Sequence, residues 1–167
     1  MMRSRALASG AMIAALYAAL TVALAPISYG PVQFRVSEAL TLLPWYLPEA
    51  VPGLFAGCVV ANFFGGYGAV DMVVGSCATL IAALLTRRAP RLWMAAVPPV
   101  VLNMLLVGGM LHVLVGAPLI ATAVYVALGE AGACFILGVP LMKLLERRGI
   151  LSHARPELDV RAALGNN

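Results

Sequence analysis

Residues 92–129 read LWMAAVPPVVLNMLLVGGMLHVLVGAPLIATAVYVALG, thirty-eight residues without one formal charge. A bilayer-spanning helix needs only about 20 apolar residues. This run is therefore long enough for one crossing, a short turn at Gly116-Ala117-Pro118, and the start of the return. The same pattern lies upstream, where Ala6 to Phe34 is also uncharged. Over all 167 residues, 62% are hydrophobic and only 11% charged, against the roughly 25% charged typical of a soluble domain. Mean hydropathy is +0.96. A chain of this kind lives in lipid, where spanning structures are helices or closed barrels. Long unbroken apolar runs, rather than alternation over ten-residue strands, select helices.

Working outward from that stretch gives six helical segments: Ser4 to Ala25, Ser37 to Pro44 or Pro48, Glu49 to Phe64, Ala69 to Thr86, Leu92 to Val115 and Leu119 to Arg147. The expected fold is an all-α membrane protein, a six-transmembrane-helix bundle at residues 1–148, followed by a polar cytoplasmic tail at 149–167. Arg3 and Arg5 precede an apolar run too long for a cleavable leader, so the first span is expected to be retained. Ser37 is expected to cap the second segment. At this length it cannot cross a bilayer upright and has to be buried by its neighbours. Pro98-Pro99 predicts a kink in the fifth segment.

Charge sets the orientation. Ten of the 11 basic residues (Arg3, Arg5, Arg87, Arg88, Arg91, Lys143, Arg147, Arg148, Arg155 and Arg161) fall on one side of a six-segment topology. That side is cytoplasmic by the positive-inside rule, with both termini on it. Only Arg35 falls outside.

Function classes narrow by exclusion. There is no phosphate-binding loop, no H-E-x-x-H and no nucleophile elbow, so the chain is read as a non-enzyme without cofactor or metal. Cys58, Cys77 and Cys134 lie singly in apolar segments, as small helix residues rather than ligands. The net charge of +4 is a topology signal and implies no nucleic acid.

What remains are polar residues at or near membrane depth, where each is costly and marks function by default. Glu130 lies near mid-membrane and reads as a ligand or coupling residue, or as half of a structural pair. Glu38 reads as a pocket acid, or as a helix-start carboxylate paired with Arg35. Asp71 could cap its helix. Asn62 and Asn103 could bond across helices or to a ligand. Gln33 stands at the outer edge, and Phe34 and Tyr67, in outer loops, could stack on a flat ligand. Tyr125 and His112, in the outer halves of their helices, could be interface residues, and Tyr125 is also a candidate ligand contact. Trp45, Tyr46 and Trp93 are expected in an aromatic belt. On the first helix, Ala11, Ala15 and Ala19 recur at four-residue spacing, which lets another helix come close; that helix could be internal or belong to a docking subunit.

Val32-Gln33-Phe34-Arg35-Val36-Ser37-Glu38-Ala39-Leu40-Thr41-Leu42-Leu43-Pro44, then Pro48-Glu49-Ala50-Val51-Pro52-Gly53-Leu54, resembles the QueT family of queuosine-precursor transporters. So does Asn62-Phe63-Phe64-Gly65-Gly66-Tyr67-Gly68-Ala69-Val70-Asp71, followed by Gly75-Ser76 and Thr79-Leu80. The resemblance is densest from Pro31 to Arg87. It implies the substrate-binding S component of an energy-coupling factor (ECF) importer, located in the cell membrane. Its partners would be a transmembrane coupling subunit and two cytoplasmic ATPases, and its ligand a deazaguanine base or queuine. The motifs put Gln33, Arg35, Glu38, Asn62 and Asp71 in family positions, and the Ala11/Ala15/Ala19 stripe fits a docking face. One carboxylate, Glu130 or Glu38, could accept from a guanine-like edge, and Asn103 or Gln33 could donate to its carbonyl. The rival reading is a stand-alone secondary transporter with Glu130 and Asp71 as proton carriers.

Overall fold

The computed structural model describes residues 2–29 and 33–151. The tail from residue 152 onward, with His153, Arg155 and Arg161, lies outside the described residues. Helices are α1 (Met2–Ala23), α2 (Ala50–Phe63), α3 (Gly68–Arg88), α4 (Leu92–Val115) and α5 (Leu119–Arg147). A 3-10 helix, Val36–Trp45, lies between α1 and α2. Among the described residues the fold is all-helical. α1, α3, α4 and α5 are each long and apolar enough to cross a membrane, and α2 is a shorter apolar helix.

The 3-10 helix is the pillar of the molecule. Every residue from Ser37 to Trp45 is buried, although runs beyond three or four residues are uncommon for this helix type. Three residues per turn sort its side chains into three rows. Glu38 and Thr41 share one row, and the Thr41 hydroxyl donates back to the Glu38 carbonyl at 2.6 Å. Ala39 and Leu42 share another, which rests on α5 at Gly138. A Cβ there would lie 3.0 Å from Leu42 Cδ1 and 3.1 Å from the Ala39 carbonyl oxygen. Ser37 does not cap the segment as expected. Its hydroxyl is within 2.6 Å of the Thr21 hydroxyl on α1, a cross-helix bond in place of a local one. Of the two expected ends, Pro44 lies inside the segment, which stops at Trp45, ahead of Pro48.

In lipid, helices gain little from hiding apolar surface against one another, so small residues and close backbones hold them together. α1 and α2 meet in this way. A Cβ on Gly53 would come 2.6 Å from the Gly10 carbonyl oxygen, and one on Gly57 would come 2.7 Å from that of Ala14. The internal contact therefore uses Gly10 and Ala14. Ala11, Ala15 and Ala19 are exposed on the flank of α1 beside this contact.

α4 breaks into a turn at Ala96, just ahead of Pro98-Pro99, and winds as a π-helix over Asn103–Val107. α5 does the same over Gly132–Gly138. Gly116 ends α4 in the left-handed conformation (φ 67°), its N–H on the His112 carbonyl at 3.0 Å.

Trp45 and Tyr46 are not belt residues. Both are buried. The Trp45 indole donates to the Ala89 carbonyl at 3.0 Å, and the Tyr46 hydroxyl donates to Glu146 at 3.0 Å. The foot of the pillar is thereby tied to the α3–α4 turn and to the end of α5. Leu151, in the expected tail, also belongs to the hydrophobic core, while Ile150 before it is exposed. Trp93, by contrast, is half-exposed.

Candidate functional site

The head of the pillar gathers the polar residues. Gln33 adopts φ 46°, a left-handed conformation uncommon outside glycine, and is buried. Two residues on, Arg35 enters the interior. Its Nε donates to the Ser28 carbonyl at 3.4 Å and its Nη1 to Asn62 Oδ1 at 3.2 Å. Its guanidinium carbon lies 5.4 Å from the centre of the Tyr29 ring. Nη2 faces Asp71 Oδ2 at 3.9 Å. Asn62 completes this unit by donating to the Asp71 carbonyl at 3.1 Å. Asp71 is therefore no cap: it lies inside the first turn of α3 with its carboxylate turned to Arg35.

Two glycines make room for the unit. A Cβ on Gly65 would be 3.1 Å from Asp71 Oδ2, and one on Gly75 would be 2.5 Å from Asn62 Nδ2. The Asn62-Phe63-Phe64-Gly65-Gly66-Tyr67-Gly68-Ala69-Val70-Asp71 run thus reads as a tight turn that returns Asp71 to Asn62. Phe63 and Phe64 are exposed on its outside.

The second group lies deeper. Glu38 is 1% exposed, Glu130 3% and Asn103 5%. Glu38 accepts a short hydrogen bond from the Tyr17 hydroxyl on α1. The Cys134 thiol, on α5, is 3.6 Å from the Glu38 carbonyl and 3.7 Å from the Thr41 hydroxyl. Glu130 has the Asn103 side chain beside it. The Phe34 ring rests against α5, where a Cβ on Gly132 would be 2.8 Å away. Asn103 opens the π turn of α4, and Glu130 lies two residues before that of α5. Such turns are frequent at functional sites.

Several of these buried atoms have no hydrogen-bond partner: Glu38 Oε2, Glu130 Oε2, Asn103 Nδ2, Arg35 Nη2 and both Asp71 carboxylate oxygens. Leaving a buried polar atom unpaired costs about 1–3 kcal/mol, more for a charge.

Of the residues singled out from the sequence, Gln33, Phe34, Arg35, Glu38, Asn62, Asp71, Asn103 and Glu130 are on or beside these two groups. Tyr67 is half-buried against the apolar cluster of Val107, Met110, Leu111 and Val126. Tyr125 is 49% exposed and stands apart. His112 is exposed, its ring 2.6 Å from the Ala117 carbonyl. Sequence reasoning passed over Tyr17, Thr21 and Tyr29. A signal for the first two existed: they are polar residues four apart in an alanine-rich helix, so they share one face. Among the described residues no cluster of metal-ligating side chains occurs.

A family model described as "QueT transporter" matches residues 7–147. The chain is 41% identical over 73 residues to a protein of Lactococcus lactis subsp. cremoris (strain MG1363) named "Queuosine precursor transporter QueT"; the match covers 42% of this chain and 43% of that relative. The chain thus spans less than half of that relative's length. No solved structure matches.

Proposed function

Since the chain belongs to the QueT transporter family, we propose that it is the substrate-binding S component of an ECF-type importer for a queuosine precursor. The observation that carries the reading is Glu130 beside Asn103, both buried and each with an unpaired atom. A deazaguanine offers a ring N–H and an exocyclic amine next to a carbonyl on one edge. Glu130 would accept from the first two and Asn103 would donate to the third. Phe34 would stack on the flat ring.

The six-segment topology belongs to this reading, with the pillar as the second segment and both termini cytoplasmic. Its support is the foot of the pillar, which meets the α3–α4 turn and the end of α5, where Arg87, Arg88, Arg91, Lys143, Arg147 and Arg148 cluster in sequence. Arg35, Asp71 and the pocket then face outward, where an imported base arrives. The exposed Ala11/Ala15/Ala19 face would dock the transmembrane coupling subunit. It adjoins an apolar groove of about 220 Å³ between α1 and α2, lined by Ala11, Ala14, Glu49 and Ala56 among others. Two cytoplasmic ATPases would supply the energy.

Uptake of labelled deazaguanine into proteoliposomes tests the whole. Transport is expected only when coupling subunit, ATPases and ATP are all present. In Glu130→Gln, which loses an acceptor at the base edge, affinity falls by a factor on the order of ten to a hundred. Uptake driven by a proton gradient alone would instead favour a secondary transporter with Glu130 and Asp71 as carriers. The unpaired Glu130 Oε2 and Asp71 oxygens are the observation that keeps that reading open.

A further inference from the structure

Membrane topology asks only that cations stand on one side of the bilayer. It does not ask that they be gathered. Arg87, Arg88 and Arg91 border the α3–α4 turn, while Lys143, Arg147 and Arg148 are at the far end of α5. The foot of the pillar joins these two places, Trp45 donating to the Ala89 carbonyl and its neighbour Tyr46 to Glu146, each at 3.0 Å. The Thr86 hydroxyl donates to the Ala95 carbonyl at 2.8 Å, which closes the turn and fixes its three arginines between buried anchors. All six cations are exposed. Among the described residues none has an acid within ion-pairing distance; the ion pair there is Arg35 with Asp71, at the head. Glu146, the acid in their midst, is turned to Tyr46. Lys143 and Arg147 are four apart on one helix face, a pair of like charges that repel. Apolar side chains stand between the cations: Trp93, Met94, Leu144 and Ile150 are all exposed. A surface of this mixture matches a ligand with an anionic head and a hydrocarbon body, and Trp93 suits the headgroup level. A soluble anion would use the cations and leave the apolar groups bare.

We propose that the foot of the pillar binds the headgroup phosphate of an anionic phospholipid, with the α3–α4 turn on one side of it and the end of α5 on the other. Arginine forks suit phosphate oxygens. The lipid would supply the counter-charge that the protein withholds, and would brace the same two elements that Trp45 and Tyr46 join. The site is independent of what the head of the pillar takes.

The test is native mass spectrometry of the purified full-length protein, titrated with phosphatidylglycerol or with phosphatidylcholine of the same acyl chains. Each cation near an anionic headgroup is worth about fivefold in affinity, so the wild type is expected to hold phosphatidylglycerol at least about tenfold more tightly. Arg87→Gln/Arg88→Gln/Arg91→Gln and Lys143→Gln/Arg147→Gln/Arg148→Gln should each lower phosphatidylglycerol affinity by at least about tenfold. Phosphatidylcholine binding kept within about threefold reports that these variants are folded. Arg3→Gln/Arg5→Gln removes cations at the start of α1 and should change neither lipid by more than about threefold. Equal affinity of the wild type for the two lipids overturns the proposal without appeal to any variant. An equal loss in Arg3→Gln/Arg5→Gln also overturns it, because charge anywhere on that side would then suffice. Displacement of phosphatidylglycerol by millimolar inorganic phosphate would make a free anion the ligand, and overturns it too.

Discussion

The two ends of the pillar are built from the same ten-residue helix and treat polar groups in opposite ways. At the foot, Trp45 and Tyr46 each have one polar atom and each gives it a partner, on Ala89 and Glu146. Their rings pack edge to face, 4.7 Å between centres. At the head, Arg35, Asp71, Glu38, Asn103 and Glu130 are equally buried yet leave atoms unpaired. Burial is therefore not what separates the ends. The foot is closed upon itself, and the head is left incomplete. The bonds at the foot tie the fold together, and the unpaired atoms at the head are what the proposed ligand would complete.

The contrast can be broken most severely at Arg35. Arg35→Met removes the cation facing Asp71 and should cost about 3–5 kcal/mol, read as a lowered unfolding midpoint in detergent. Adding Asp71→Asn should recover most of it. No loss in the single variant would mean that the head carries no electrostatic strain worth the name. Gly75→Ala comes next. Its methyl would land 2.5 Å from Asn62 Nδ2, and overpacking of this kind costs about 1–3 kcal/mol, with Asn62 pushed off Arg35 and Asp71. Glu130→Gln should move the other way. Replacing an uncompensated buried charge by an amide should raise stability by about 1 kcal/mol even as base binding falls. A drop in stability would show that Glu130 is a structural partner. Smallest of all is Tyr46→Phe at the foot. It loses the bond to Glu146, about 0.5–1.5 kcal/mol, and base affinity should not change.

Much of the architecture was legible beforehand. Uncharged runs fixed the long helices, and Pro and Gly fixed their breaks, because lipid enforces length and apolarity so strictly. The first segment, for example, was expected over Ser4 to Ala25 and is helical over Met2–Ala23. What failed were local rules where tertiary contacts win. Ser37 looked like a cap but bonds to Thr21. Trp45 and Tyr46 looked like interface aromatics but are core. No propensity scale foretells a ten-residue 3-10 helix, since its form depends on neighbours packing on every side. The polar residues of the head were visible as rare charges in apolar sequence. Their grouping was not, because the pillar is seated on α5 where Gly138 leaves room for Ala39 and Leu42 and Gly132 for Phe34, and glycine spacing alone does not reveal which element it admits. Tyr125 shows the converse: depth in a helix can be counted, but the direction a side chain faces cannot.

The winding of the pillar has a mechanical corollary. At about 2.0 Å per residue its ten residues extend roughly 20 Å, whereas the same residues coiled as an α-helix would reach only about 15 Å. One end is pinned to α1 through Glu38 and Ser37, the other to α3–α4 and α5 through Trp45 and Tyr46. Rewinding this rod would draw its two anchorages together by about 4 Å, so displacement at Glu38 and displacement at Trp45 are two readings of a single strut.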